Sequence, residues 1–557
     1  MLISMYQYPL TGTSYLHAFV YKLIILLQDT KIMKYIQRKI IAKHIATAFD
    51  IEAYRSLYQN ILSRELSSLP IVSKQTLHIN FPNIKNRLPD HFTEQNISEF
   101  QIMATSGSTT GHPSEIPIAQ TDIMYLQNYY QLLAKISGGI MPSTYKYINM
   151  FPISGSSTGI FSELVVPERF RLGRSNTSPQ LTVQLIRDSG VLLTNSKLGI
   201  GNEVTSVPLA LGGLPILHLD FLAYLKHNNI SDVLDYIKLH GICVYGGESP
   251  TINERLQLST YYSQLMSIYG STEQSPRLGF SLEPNLIFDI ALTIDSIRKE
   301  LIKDNLPPIT FFYDKYLHNY EVINDTLIDT PLVQQAELKI KWDQEDVCDI
   351  MDPSSIMNVI NTHKTELLAK IKEIDHQYQT NLEQIVVNLF AGKYKKLTKY
   401  YGLILMYGRK GIIYGGANLD NKFVEIVFEK FCNKYPNVIS HLALHRSPAE
   451  DINKENITTK SYSGLKLNIL VDIVNQLDDH HLIDLKNNIL QLMQETHHDF
   501  EQILLYYKSE GLYDQVINNI KMLVYHNETS PMHTRFINSK KRIFIFKKID
   551  ETPHQLI

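Results

Sequence analysis

Cysteine is scarce in this chain, with three among 557 residues, at positions 243, 348 and 432. No Cys-x-x-Cys pair exists, so neither a zinc site nor a disulfide framework is indicated, and a reducing cytoplasm is the expected compartment. Charge of one sign is missing as well. Lys plus Arg number 53 against 56 Asp plus Glu, a net of −3. That balance leaves no electrostatic footprint for nucleic acid and no polybasic reason to sit on a membrane. The apolar stretch AFVYKLIILL at 18–27 is interrupted by Lys22 and too short to span a bilayer, and no small-residue cleavage site follows it, so a buried helix is expected there. Internal repeats and low-complexity tracts are absent too.

What is present is ordinary for a soluble enzyme: 44% hydrophobic and 20% charged residues. The length suggests one large domain plus one or two smaller ones. Residues 1–68 carry helix-period apolar positions, and LPIVSKQTL at 69–77 breaks them. Residues 80–103 read as a loop and a strand. Residues 120–285 alternate helical stretches with short apolar runs such as KYINMFPI and GICVYGG, which argues for an α/β layered core. Strand-like alternation at 320–342 predicts a small β subdomain, 353–395 reads as a long helix, and 402–416 returns to strands and turns. The stretch 465–525 reads as helical, and KKRIFIFKK at 540–548 as a final strand.

Four segments carry candidate chemistry. The first is ATSGSTTGHPSEIP at 104–117, where Gly107 and Gly111 bracket Ser108, Thr109 and Thr110 behind Thr105 and Ser106. Glycines let backbone N–H groups approach an anion closely, and hydroxyls add donors. It is not a Walker loop, because no Lys lies within it. The second is YGGESP at 245–250, in which Gly246 and Gly247 expose backbone and Glu248 adds a carboxylate. The third is SIYGSTEQS at 267–275: Tyr269 offers a face for a purine, Thr272 a hydroxyl and Glu273 a hard oxygen ligand for Mg²⁺, with Gly270 and Ser271 alongside. The fourth runs from Gly408-Arg409 through Gly416 and Asn418 to Glu425. Taken singly, each fits a surface loop or strand-end turn at least about as well as a binding site.

Their order is more informative. The succession ATSGSTTGHP, YGGE, YGSTE, then Gly-Arg with Gly-x-Asn and a helix-borne Glu, resembles the adenylate-forming (acyl/aryl-CoA synthetase) superfamily over roughly residues 45–430. The branch it looks like is that of phenylacetate–coenzyme A ligases and their relatives that adenylate a deazaflavin cofactor; the LPIVSK segment upstream fits that branch. The resemblance implies an α/β fold. A large N-terminal adenylation domain of several subdomains would span 1–407, with a helical insertion at about 353–395, and a smaller mobile α+β domain would span 408–557. It implies that 105–111 holds the ATP β- and γ-phosphates and that the Gly246-Gly247-Glu248 backbone lines the adenine pocket. Tyr269 would pack on adenine, Thr272 would contact the α-phosphate, Glu273 would ligate Mg²⁺, and Arg409 would lie beside the nucleotide. The chain departs from the pattern in places. Ser114 stands where Lys is common, Lys410-Gly411 replaces the acidic hinge pair, and no Thr-Gly-Asp is recognisable. Asp346 is the substitute ribose ligand, with Asp349 close behind. Lys540 and Lys541 are the candidates for the small-domain lysine.

The implied reaction is attack of a substrate carboxylate on the α-phosphorus of ATP with release of pyrophosphate, then transfer to a thiol, with coenzyme A the leading acceptor. Transfer to an amine, a protein or a separate carrier is the alternative, and a degenerate nucleotide-binding scaffold of the same fold is the third reading. The acyl pocket is expected from about 149–160 and 205–250. SGSSTG at 154–159 mimics the phosphate loop but lacks its downstream prolines. The Asp478–His481 and His497–Asp499 clusters read as polar helix faces and not as metal sites. Cys243 reads as a buried strand residue, and Cys432 lies too early for the late cysteine of acyl-protein synthetases.

Overall fold

The computed structural model describes residues 31–61, 63–89, 100–104, 115–119, 122–123, 126–127, 145–151, 157–175, 178–189, 191–192, 207–247, 250–271, 274–302, 307–315, 317–332, 336–409, 412–414, 417–419, 421–446, 466–509, 511–526, 532, 545–546, 553 and 555–557. The described residues open on helices α1 (Lys31–Asp50) and α2 (Glu52–Leu57), followed by the antiparallel pair β1 (Phe100–Ala104) and β2 (Glu115–Ala119). Then strands and helices alternate: β3 (Lys146–Asn149), α3 (Ser157–Val165), β4 (Arg171–Arg174), α4 (Pro179–Asp188), β5 (Leu209–Gly213), α5 (Pro215–His227), α6 (Ser231–His240), β6 (Gly241–Gly246), α7 (Ile252–Tyr261) and β7 (Gln264–Ser271). Parallel strands covered on both faces lose the polar–apolar alternation, and every residue of β5 is buried. Local signals set the helix starts. Ser178 caps α4 ahead of Pro179, and Thr251 with Glu254 forms a capping box on α7.

After β8 (Ser275–Ser281), α8 (Glu283–Thr293) and α9 (Asp295–Leu301), the strands turn antiparallel: β9 (Ile309–Tyr313), β10 (His318–Ile323), β11 (Thr326–Pro331), β12 (Trp342–Met351) and, after α10 (Pro353–Thr362), α11 (Lys364–Tyr378), α12 (Leu382–Phe390) and α13 (Lys395–Tyr400), β13 (Gly402–Arg409). The β10–β11 hairpin turns on Asn324 and Asp325, both at positive φ (52° and 62°), as a tight two-residue turn requires. The strand order is β10-β11-β12-β13-β9-β8-β7-β6-β5-β3-β4, one sheet of eleven strands. The strands where a small β subdomain is expected, at 320–342, continue the large sheet, β10–β12 joining it through β13 and β9. This half curls on itself. The hydroxyl of Tyr320 on β10 donates to the Leu278 carbonyl on β8 at 2.7 Å, around an interior of Phe311, Tyr313, Leu327, Ile404 and Met406. The expected long helix at 353–395 is four helices, and Asp375 receives the Leu382 and Glu383 amides at 2.8 Å each to start α12 sharply.

The C-terminal part has its own five-stranded sheet. After β14 (Ile412–Tyr414), β15 (Ala417–Leu419) and α14 (Asn421–Lys434) come β16 (Ile439–Arg446) and β17 (Leu467–Ile473). These are followed by α15 (Asp479–Thr496), α16 (His498–Ser509), α17 (Tyr513–Asn519), β18 (Ile520–His526), β19 (Ile545–Phe546) and β20 (Gln555–Leu556), with sheet order β19-β16-β17-β18-β20. The stretch 465–525 is thus not all helical: it begins and ends in strands whose Ile469, Val471, Met522 and Val524 pack with Phe423 and Val427 of α14. No helix among the described residues is long and apolar enough to cross a membrane.

Candidate functional site

Strands β3, β5, β6 and β7 run parallel, so their carboxyl ends share one edge of the sheet. The chain leaves β3 toward β4 on one side, then returns to β5 on the other. A reversal of this kind opens a crevice outside the strand ends, the usual ligand position in α/β sheets. Asn149 and Gly212–Gly213 end the two strands at the reversal. Gly212 has no room for a side chain, since a Cβ there would lie 2.1 Å from the Tyr147 hydroxyl.

The second expected segment ends β6. Gly246 pairs with Ile268, and a Cβ on it would sit 2.8 Å from the Ile268 carbonyl oxygen. Gly247 follows at φ +78°, a conformation that L side chains rarely adopt. The glycine pair thus turns bare backbone across the end of β7, where Tyr269, Gly270 and Ser271 lie. Ser271 closes the turn into β8 by accepting the Gln274 amide on its hydroxyl at 3.2 Å.

Tyr269 meets a residue 77 positions away. Its hydroxyl donates to Asp346 Oδ2 at 2.5 Å, and its ring lies 5.4 Å from that of Phe311. Asp346 is only 1% exposed, and its backbone pairs with Arg409 of β13. The structure also separates the two aspartates that the sequence left open. Asp349 is exposed and receives the Tyr407 hydroxyl at 3.1 Å, away from Tyr269. Between them the ladder slips: Val347 faces Gly408 and Cys348 faces Met406, so Tyr407 is the extra residue of a β-bulge, a device that re-aims side chains beside sites. The LPIVSK segment reaches the same strand, with Val72 bonded on both sides to Lys341 and Asp343 at 2.9 Å.

Tyr269, Gly270, Ser271, Asp346, Gly246, Gly247 and the backbone of Arg409 are therefore placed by the described structure. Thr105, Ser106, Gly107, Ser108, Thr109, Thr110, Gly111, Glu248, Thr272, Glu273, Lys540 and Lys541 lie outside the described residues. The 105–111 segment falls between β1 and β2, whose ends pair Ala104 with Glu115. Among the described residues no group of three or more His, Cys, Asp or Glu side chains is placed to hold a metal. Burial raises the Cys243 thiol well above its ordinary value, and burial with Asp346 and Asp349 does the same for Cys348, so neither is a thiolate nucleophile.

Two buried ionic groups escaped the sequence reading. Glu337 accepts from His78 Nε2 at 3.0 Å and from Lys339, and forms an ion pair with Arg87 Nη1 at 3.0 Å, while Arg87 Nη2 donates to the Glu115 carbonyl at 2.7 Å. Arg255 pairs with Asp289. No signal in the sequence marks them, because charged residues on short helices and loops ordinarily face water.

No family model matches the chain, and no curated protein does. Solved structures show a loose likeness. A 2-hydroxyisobutyryl-CoA ligase in complex with 2-HIB-AMP is 11% identical, covering 92% of this chain and 89% of its own, at TM-score 0.44. The acyl acid amido synthetase AtGH3.15 in complex with 2,4-DB is 11% identical, covering 97% and 96%, at TM-score 0.43. An acyl-CoA synthetase (AMP-forming)/AMP-acid ligase II-like protein from Dyadobacter fermentans is 12% identical, covering 84% and 92%, at TM-score 0.29. None of these likenesses carries a functional assignment, which rests on the chain's own residues.

Proposed function

We propose that this chain is an ATP-dependent, adenylate-forming ligase. A carboxylate oxygen of the substrate acid attacks the α-phosphorus of ATP, the bond to the β-phosphate breaks, and pyrophosphate leaves. A thiol sulfur then attacks the acyl carbon, the bond to the adenylate oxygen breaks, and AMP leaves as the thioester forms, with coenzyme A as the proposed acceptor. The observation that carries this reading is the meeting of Tyr269 and Asp346 beside the Gly246–Gly247 turn at the strand ends. Three segments far apart in sequence, each singled out for the same nucleotide, converge there.

The residues suit that ligand. The bare glycine backbone leaves space and N–H groups at an edge where a purine would lie, and the Tyr269 ring supplies a flat apolar face. Asp346 supplies a buried acceptor for ribose hydroxyls. Thr105–Gly111 and Thr272 are the proposed phosphate donors, Lys540 or Lys541 the proposed small-domain cation and Glu273 the proposed magnesium ligand. A magnesium ion there would neutralise charge on the departing phosphates. The proposed division places a mobile domain after residue 407. The decisive measurement is carboxylate-dependent ATP–pyrophosphate exchange over aryl, fatty and amino acids. Exchange with at least one acid, abolished in Glu273→Ala, is expected. ATP binding without exchange for any acid would instead make the chain a nucleotide-binding scaffold. Thioester formation on adding coenzyme A tests the acceptor, and an amide product with an added amine would replace it.

A further inference from the structure

The buried ionic group around Glu337 has no part in the chemistry proposed above, yet one of its members reaches the stem of the segment 105–114. Asn83 accepts the Lys85 amide at 3.0 Å and starts a turn of 3₁₀ helix, Ile84–Arg87, which ends on Arg87, 1% exposed. Its Nη1 pairs with Glu337 at 3.0 Å, and its Nη2 donates to the Glu115 carbonyl at 2.7 Å. Glu115 opens β2 and pairs with Ala104, which ends β1, so these two residues bracket 105–114. The far end of β2 is tied to the same place. Asp122 Oδ2 accepts the amide of Ala119, which ends β2, at 3.0 Å, and that of Ala336, next to Glu337, at 3.3 Å. Between these polar ties Leu88, Ala119 and Ala336 pack together, with Ile84 against them. From Glu337 the chain runs on into β12, which carries Asp346.

We infer that Arg87 is a positioning residue for the β- and γ-phosphates of the nucleotide, fixing the stem of the proposed phosphate segment to the stretch that leads into the Asp346 strand. The stem needs such an anchor. Strands β1 and β2 form a two-stranded sheet of their own, and an isolated pair of strands is marginal. Their apolar residues Met103, Ile116 and Ile118 pack with Phe161 of α3, but apolar contact is non-directional and does not by itself set where the stem points. A directed bond to the Glu115 carbonyl does. A planar guanidinium holds a carboxylate with one arm and a carbonyl with the other in fixed directions, where a lysine offers one compact point charge. In a buried setting the arrangement stays single, because each broken bond leaves a polar group unmet. A segment that grips an anion through backbone amides and hydroxyls presents them in the directions its stem allows.

This inference rests on the phosphate role proposed for 105–111, and its test separates the two. Calorimetry on the full chain measures ATP and AMP binding for wild type and three variants. These are Arg87→Lys, the combination of Arg87→Met with Glu337→Leu and Lys339→Met, and the combination of Thr109→Val with Thr110→Val. The Met–Leu–Met variant removes the buried charges together, so it keeps the fold while giving up the bond to Glu115. AMP lacks the β- and γ-phosphates and reports on the rest of the site. Both Arg87 variants should weaken ATP binding about tenfold, the equivalent of one charge-assisted hydrogen bond, and leave AMP within about twofold of wild type. A general loosening of the fold would weaken both nucleotides alike. The threonine variant should show the same split between ATP and AMP. If it does and the Arg87 variants change neither nucleotide, or weaken both equally, the role of Arg87 is overturned while the phosphate segment stands. If the threonine variant binds ATP as wild type does, or wild type binds neither nucleotide, the phosphate segment and this role fall together.

Discussion

Replacing Glu337 by glutamine should be among the most damaging conservative changes in this protein. The Glu337 carboxylate, 3% exposed, faces three potential cations: Arg87 and His78, each at 3.0 Å, and Lys339. Burial favours its neutral form, but Lys339, His78 and Arg87 outweigh that and hold its carboxyl well below the usual carboxylate range. Glu337→Gln leaves a guanidinium and an ammonium buried side by side without an anion. Breaking a buried pair from one side costs about 3–5 kcal/mol. Replacing Arg87, Glu337 and Lys339 together by Met, Leu and Met removes all three charges. That triple variant should stay closer to wild type than Glu337→Gln, the remaining cost being the unmet Glu115 carbonyl that Arg87 now serves at 2.7 Å and the buried His78 Nε2 that loses Glu337. The acid limb gives a second reading. A depressed carboxyl contributes stability that is complete above its unfolded value of about 4.3 and is lost as pH falls toward its folded value. Urea midpoints between pH 7 and pH 3 should therefore drop less steeply below about pH 4.5 in Glu337→Gln than in wild type. A Glu337→Gln protein within about 1 kcal/mol of wild type at pH 7, or with an identical acid limb, would refute the network as a charge-balanced unit.

Other consequences can be measured separately. Burial lowers His44 to about 4, with a Pro331 carbonyl opposing and Lys43 adding to it, so the folded protein holds His44 neutral. The unfolded chain takes up that proton below about pH 6.5; stability is whole above that and should fall by about 2 kcal/mol from pH 7 to 5, a slope that His44→Leu should flatten in urea titrations. Gly246→Ala drives a methyl to 2.8 Å from a ladder carbonyl that cannot retreat, so it should cost about 1–3 kcal/mol and weaken ATP binding. Gly392→Ala, with φ +78° and nothing within 4 Å, should cost about 1–2 kcal/mol in backbone strain and leave ATP binding alone. Asp346→Asn should weaken ATP binding about tenfold, the equivalent of a charge-assisted hydrogen bond, while Asp349→Asn leaves it unchanged. The reverse ranking would move the ribose role to Asp349.

How much of this was legible in the sequence depended on the range of the interactions. The α/β alternation of 120–285 and the glycine turn after GICVYGG are local: apolar runs make strands, Thr251 and Glu254 make a helix start, and Gly246–Gly247 make the turn between them. Pairing partners are not local. Nothing in 320–342 says that its strands connect, through β12, to β13 some 60 residues later and so continue the large sheet. Short apolar runs also read equally as helix or strand, which is why LNILVDI and KMLVYH, in the two parallel strands β17 and β18, fit a helical stretch in the sequence.

The site divides along the same line. Tyr269 stood out because its strand-end loop carries several polar groups suited to a nucleotide, and Asp346 only because it follows strands at the right interval. Strand alternation alone puts the two aspartates, three residues apart on β12, on opposite faces, with Asp346 buried against Tyr269 and Asp349 exposed beside Tyr407. What the sequence lacked was which of the two faces turns to Tyr269, because that is set by long-range pairing. Arg255 and Glu337 were invisible for a different reason. A lone charged residue in sequence is read as solvated, and only the packed structure shows the partners that keep each one charged inside. The groups proposed to touch a nucleotide were therefore legible as motifs, whereas the buried ionic groups were legible only from the fold.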